Sequence, residues 1–287
     1  LHQHWIIGCG DIGLRVAKLI SELYQNVPHR TSALIRQESS AERCKQAGLE
    51  ILLHDLDDPS PLDVTSFENA SVYYFAPPPK TGDIDTRLQY FLNQTAGAPK
   101  RIVLISTTGV YGNSDGQWVD EETPANPQTD RAKRRLSAEN QVYQWATTYQ
   151  REYIILRVPG IYAKDRLPLE RLKKGLPVVQ QSEAAFTNRI HADDLARICI
   201  AAMECDINGE IFNTTDGHPG TMVEYFNKVA DFAGLERPPQ ISLAEAKLKL
   251  SKGMLSYAME SRRIRNDKLL KLLDIELSYP TLEDGLK

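Results

Sequence analysis

The stretch "IIGCGDIG", residues 6–13, constrains the fold more than any other part of the chain. It joins the apolar run "HWII" to a segment in which Val16, Leu19, Ile20, Leu23 and Tyr24 recur at helical spacing while Arg15, Lys18 and Glu22 face elsewhere. Glycines at 8, 10 and 13 between a strand and a helix allow a tight turn, a close backbone approach by a pyrophosphate, and tight packing of helix on strand. The helix N-terminus then offers its free N–H groups to the anion. In this context Gly8, Gly10, Asp11, Ile12 and Gly13 are the expected cradle of a dinucleotide.

The alternation continues downstream. "SALIR", "EILLHD", "SVYYFA", "RIVLIS" and "YIILRVPGIY" read as strands, with amphipathic stretches between most of them, and "GEIFNTT" reads as a further strand after the helix "HADDLARICIAAM". Such a pattern argues an α/β, doubly wound parallel sheet of the Rossmann type with right-handed crossovers. "SSAERCKQAG" carries a serine cap signal at its start and Gly48 at its end. After "GEIFNTT" the chain turns mainly helical, which points to a small C-terminal substrate lobe. The division expected is 1–165 with 186–215 for the NADP-binding domain, and 166–185 with 216–287 for the lobe. The turn-rich "GNSDGQWVDEETPANPQ" reads as a lid or binding loop.

A second-strand end with Asp or Glu would hold the adenosine ribose of NAD; this one ends in Arg36, whose guanidinium suits a ribose phosphate. NADP is therefore expected ahead of NAD, with Ser39 able to add a hydrogen bond, although Glu38 stands close enough to play the acidic part. A net charge of -4 and a pI near 5.9, without a basic stripe, argue against nucleic acid or a membrane surface as partner. Cys9, Cys44, Cys199 and Cys205 lack CxxC or metal-ligand spacing and read as reduced packing residues, so no metal is expected. With no leader pattern at the first residues given, the cytoplasm is the expected location.

Taken together, "GCGDIG", "HDL", "YYFAPPP", "ISTTGVYG" with "VDEETP", "LRVPGIY", "NRIHADDLA", "IFNTTDG" and "RNDKLLKLLDIELSYPTLEDGL" resemble, in order and spacing, the atypical and extended short-chain dehydrogenase/reductases, the NAD(P)-dependent epimerase/dehydratase group. The resemblance implies that Asp55 and Leu56 contact adenine and that Ala76 and Pro77 line the cofactor's ribose and pyrophosphate. It places Thr107 where that group has the Ser or Thr that binds the reacting oxygen. It also implies a YxxxK pair on the next helix, in which Tyr serves as acid or base and Lys lowers its pKa. Aligned by "LSAE" at Glu139, the Tyr place holds Arg131 and the Lys place Arg135. Arg135 keeps a positive charge, but Arg131 has donors only and cannot act as a base. Tyr111, Tyr162, Lys164, Glu121 and His191 are the candidates to stand in for the Tyr. Arg189 is the candidate for an anionic substrate group, with His191 beside it.

Two functions follow as expectations. One is an NADP-dependent oxidoreductase or epimerase/dehydratase acting on a carbonyl or alcohol of a small, sugar-like substrate, with nucleotide sugars among the candidates. The other is a non-catalytic NADP(H)-binding redox sensor that lost the Tyr.

Overall fold

The computed structural model describes residues 2–287. A seven-stranded sheet is built from β1 (His2–Ile7), β2 (His29–Ile35), β3 (Glu50–Leu53), β4 (Ser71–Tyr74), β5 (Arg101–Thr107), β6 (Glu152–Val158) and β7 (Glu210–Asn213), in the spatial order β7-β6-β5-β4-β1-β2-β3. β1 pairs in parallel with both β2 and β4, β2 with β3, and β4 with β5, so the strand order reverses at β1. That reversal is where a doubly wound sheet opens a crevice at its carboxyl ends.

The helices α1 (Asp11–Leu23), α2 (Ala41–Gln46), α3 (Thr86–Thr95), α4 (Asp130–Tyr149) and α5 (Ala192–Glu204) follow the strands as the periodicity predicts. Strand alternation sorts the core: Trp5, Ile7, Val72, Tyr74, Ile102 and Leu104 turn to the face covered by Leu88 and Phe91 of α3 and by Val142 and Trp145 of α4. Each fully buried side chain of this size contributes roughly 1.5–3 kcal/mol, which is why the face excludes polar residues at those positions. Arg101 closes the end of α5, its Nη1 donating to the carbonyls of Met203 (3.1 Å) and Cys205 (2.6 Å) while Nε meets Glu152 at 2.8 Å.

One local expectation fails. Ser40 precedes α2 in helical conformation and its side chain caps nothing, because a 3-10 turn over Glu38–Ser40 already continues into the helix. Gly48 does end that segment with a positive φ of 78°.

Two compact units emerge. The first runs through Val110 and takes in Asp130–Arg157 and Leu195–Phe212; the second comprises Tyr111–Thr129, Val158–Asp194 and Asn213–Lys287. The division therefore falls elsewhere than at 165, 185 and 215, because the loop after β5 and the segment after β6 pack with the C-terminal residues. The second unit is not only helical. Gly160–Tyr162 pairs with Arg189–His191, Trp118–Val119 with Arg263–Ile264, and Phe186–Thr187 with Gly220–Thr221. Its longest regular element, α6 (Met222–Ala233), starts in a capping box of Thr221 and Glu224 and ends on Gly234 in the left-handed conformation. Val223, Phe226 and Val229 of α6 pack on Leu172, Val178 and Leu286. No described helix is long and apolar enough to cross a membrane.

Candidate functional site

In the first unit the three glycines of the β1–α1 turn each meet a different constraint. Gly8 has a φ of 85°, and a Cβ there would lie 2.6 Å from the backbone N and Cα of Ala76, so the turn closes against the end of β4 only without a side chain. A Cβ on Gly13 would stand 3.0 Å from Ile6 and 3.1 Å from the Cys9 sulfur, which sets the close contact of α1 with β1. At Gly10 a Cβ would meet nothing within 4 Å. Gly10 is also the N-cap of α1 and brings no capping side chain, so the helix N-terminus opens onto free space, as an incoming pyrophosphate requires. Asp11 sits in the first turn, paired to Arg15 at 3.2 Å, and Ile12 is buried beneath it. The cradle thus fits a dinucleotide.

Around it, Arg36 and Ser39 are exposed beyond the end of β2. Asp55 is half-buried and one carboxylate oxygen accepts the Asp57 N–H at 3.0 Å, while Leu56 packs into the core. Ala76 is buried against Gly8, and Pro77 is exposed. A residue missed in the sequence, Arg87, ties these loops together. It grips the Asp57 carboxylate with two nitrogens, Nε at 2.8 Å, and donates to the Pro77 carbonyl at 3.0 Å. The hydrogen bond from this guanidinium is the main reason the Asp57 pKa is lowered. No local pattern marks Arg87, since its partners lie ten and thirty residues away.

Thr107 ends β5, half-buried, and its hydroxyl oxygen accepts the Gly109 N–H at 3.1 Å, which leaves the hydroxyl hydrogen to donate. On α4, Arg131 is exposed in the first turn. Arg134 is buried and donates to the Gly82 carbonyl at 2.5 Å. Arg135 reaches the surface with part of its side chain while its Nη1 is enclosed. Burial draws the Arg135 pKa down, opposed by the charge of Asp85.

The second unit holds the other candidates. Tyr111 is 2% exposed and donates its phenol hydrogen to Asn213 Oδ1 at 2.7 Å, while the Asn213 N–H donates to Glu121 at 2.7 Å. Glu121 borders a cleft of 240 Å³ with Arg265 and Lys268, and burial raises its pKa. Arg189 is 8% exposed, braced by Nη2 on the Thr187 hydroxyl (3.0 Å) and stacked 4.3 Å over the Tyr225 ring. Asp216, which the sequence reading passed over, is pushed up to about 6 by burial, an effect opposed by the His218 N–H and by Arg189. His191 accepts the Asp193 N–H on Nδ1 at 3.2 Å, as its place before α5 suggests, and its ring lies 3.8 Å from that of Tyr279. Tyr162 is buried and donates to the Thr281 carbonyl at 3.1 Å. Among the described residues no cluster of His, Cys, Asp and Glu could hold a metal.

The sequence model of the NAD dependent epimerase/dehydratase family matches residues 16–214. The chain belongs to that family. At this level it is an NAD(P)-dependent, epimerase/dehydratase-like enzyme. A search of curated proteins finds no significant match. Among solved structures, a conserved protein of unknown function from Silicibacter pomeroyi superposes with a TM-score of 0.85 at 26% identity, covering 100% of this chain and 97% of that one. A UDP-glucose 4-epimerase from Thermotoga maritima, solved with UDP-glucose, gives 0.78 at 18% identity, covering 99% and 96%. A dTDP-glucose 4,6-dehydratase from Bacillus anthracis, in complex with NAD, gives 0.78 at 17%, covering 100% and 94%.

This epimerase/dehydratase family member carries no tyrosine at position 131, and its neighbours Arg134 and Arg135 turn into the first unit while Arg131 stays in solvent. Within that unit, the glycine turn, Thr107 and Arg135 are held in place by packing.

Proposed function

We propose that the protein is an NADP-dependent oxidoreductase or epimerase/dehydratase acting on a carbonyl or alcohol carbon of a sugar-like substrate, with a nucleotide sugar as the favoured form. The observation that carries the reading is the β1–α1 turn, where Gly8 is required by contact with Ala76 while Gly10 faces open space. Arg36, exposed past β2, supports the 2′-phosphate form of the cofactor. Bound nicotinamide would supply hydride exchange. Thr107 donates its hydroxyl hydrogen to the substrate oxygen, and Arg131, exposed at the start of α4, offers a positive charge to an oxygen that becomes negative. Neither group can take a proton as the family's Tyr does, so reduction of a carbonyl suits these residues better than a reversible epimerisation. Arg189, desolvated and braced, suits an anionic group such as a diphosphate.

The test is a fluorescence titration with NADPH and NADH, followed by NADPH consumption over a panel of nucleotide sugars and small carbonyl compounds. Tighter binding of NADPH with turnover of at least one compound supports the proposal. Tight binding without turnover across the panel moves the reading to an NADP(H)-binding sensor, and absence of binding by either dinucleotide removes it.

A further inference from the structure

On the face of the sheet covered by α3 and α4, three buried polar groups that act on one another's charge lack hydrogen-bond partners: Tyr74 Oη, Asp85 Oδ2 and Arg135 Nη1. Tyr74 and Asp85 are both 0% exposed. Their placement is held from several directions. Tyr74 closes β4 and shares a core with Leu88 of α3 and Ala138 and Val142 of α4. Asp85 is the N-cap of α3, its Oδ1 accepting the Leu88 N–H at 3.1 Å. Two residues of α4 then pin the loop that ends at Asp85. Arg134 donates to the Gly82 carbonyl at 2.5 Å, and Gln141 Nε2 donates to the Asp85 carbonyl at 3.2 Å. Arg135 lies between those two anchors on the same helix.

A buried guanidinium nitrogen and a buried carboxylate oxygen are each costly alone and become tolerable when their charges offset. Arg135 makes no ion pair within 4 Å among the described residues, yet Asp85 is the strongest charge acting to keep it protonated; burial raises the Asp85 pKa, and Arg135 is the strongest charge opposing that rise and favouring the carboxylate. The capping bond to Leu88 uses Oδ1, and although the Arg87 backbone N–H also favours this carboxylate, Oδ2 makes no hydrogen bond of its own.

We propose that Asp85 is the positioning residue of Arg135, the buried counter-charge that holds this guanidinium in place, with Tyr74 as the neutral third member, so that its outward donors engage the nicotinamide ribose hydroxyls. This rests on the dinucleotide reading above. It explains how an arginine fits the Lys place: the forked guanidinium can turn one nitrogen toward a buried carboxylate while its other donors face outward.

A double-mutant cycle tests it by two independent readouts. Asp85→Asn keeps an N-cap acceptor for Leu88 and removes only the charge. In the first readout, thermal unfolding without cofactor, Asp85→Asn lowers the midpoint, and adding Arg135→Met to Asp85→Asn restores most of the loss. In the second, NADPH titration, Asp85→Asn and Arg135→Met each weaken binding about tenfold, Asp85→Glu restores part of it, and the double variant is no weaker than either single one. Additive midpoint shifts, or Asp85→Asn binding NADPH like the wild type, overturn the proposal. Failure of the wild type to bind either dinucleotide overturns the ribose assignment together with the functional reading, while a non-additive unfolding cycle would still establish the Asp85 and Arg135 pair.

Discussion

Glu139 and Arg157 form a buried two-bond ion pair, Nη2 to Oε2 at 2.8 Å and Nε to Oε1 at 3.1 Å, with side chains 4% and 6% exposed. The Ser106 hydroxyl donates to the same carboxylate at 2.5 Å, so one glutamate joins β5, α4 and β6. This contact sets the rotation of α4 about its axis. With Glu139 inward, position 135 comes inward one turn earlier, and position 131 ends at the exposed edge.

Glu139→Ala leaves the Arg157 charge buried beside β6, and removal of one partner of such a pair costs about 3–5 kcal/mol. Urea unfolding should show that loss in full. A double replacement, Glu139→Met with Arg157→Met, should recover most of it, and equal losses in both variants would mean that the pair's charge is not what the helix depends on.

Gly8 and Gly10 should separate folding from binding. Gly8→Ala forces its Cβ onto the Ala76 backbone at a φ of 85°, so both thermal stability and dinucleotide affinity should fall, the former by at least about 1–3 kcal/mol. Gly10→Ala meets no protein atom within 4 Å, so its unfolding should match the wild type within about 0.5 kcal/mol while NADPH affinity drops. Unchanged affinity in Gly10→Ala would argue that no pyrophosphate approaches there.

For cofactor choice, Arg36→Ala should reduce NADPH affinity about tenfold, the scale of a hydrogen bond to a charged group, and leave NADH affinity nearly unchanged. Parallel titrations of the two dinucleotides measure this. Equal loss for both would show that Arg36 acts on a part the two cofactors share.

In the first half of β1, His4 is 1% exposed, its ring centroid 4.8 Å from that of Tyr24 with the planes tilted, and its pKa is lowered to about 4, first by burial and then by the charges of His2 and His29. The folded chain therefore favours the neutral ring, whose ordinary pKa is 6.5. Its contribution is present above 6.5 and is lost as the pH falls from there toward 4, at most about 3 kcal/mol. Stability measured against pH should decline across that window, and His4→Phe should flatten the decline. A curve of the same shape in the variant would assign the acid sensitivity to other groups.

What the sequence determined by itself is local. The glycine turn, the strands from β1 to β7 and the helices that follow them were legible because strand alternation, helical spacing and glycine geometry act within a few residues. Arg36 could likewise be placed at a strand end, and His191 at a helix start, from their immediate neighbours. What only the tertiary structure decided rests on contacts far apart in the chain. The charge of Asp85 acts on Arg135 across fifty residues, Asn213 meets Tyr111 across a hundred, and Glu139 is turned inward by a strand it does not adjoin in sequence. A run such as "DRAKRR" is uniform to any local reading. Only when α4 is docked does burial choose which charges must be matched and which remain in water, because the cost of an unmatched charge is a property of its surroundings rather than of its residue type.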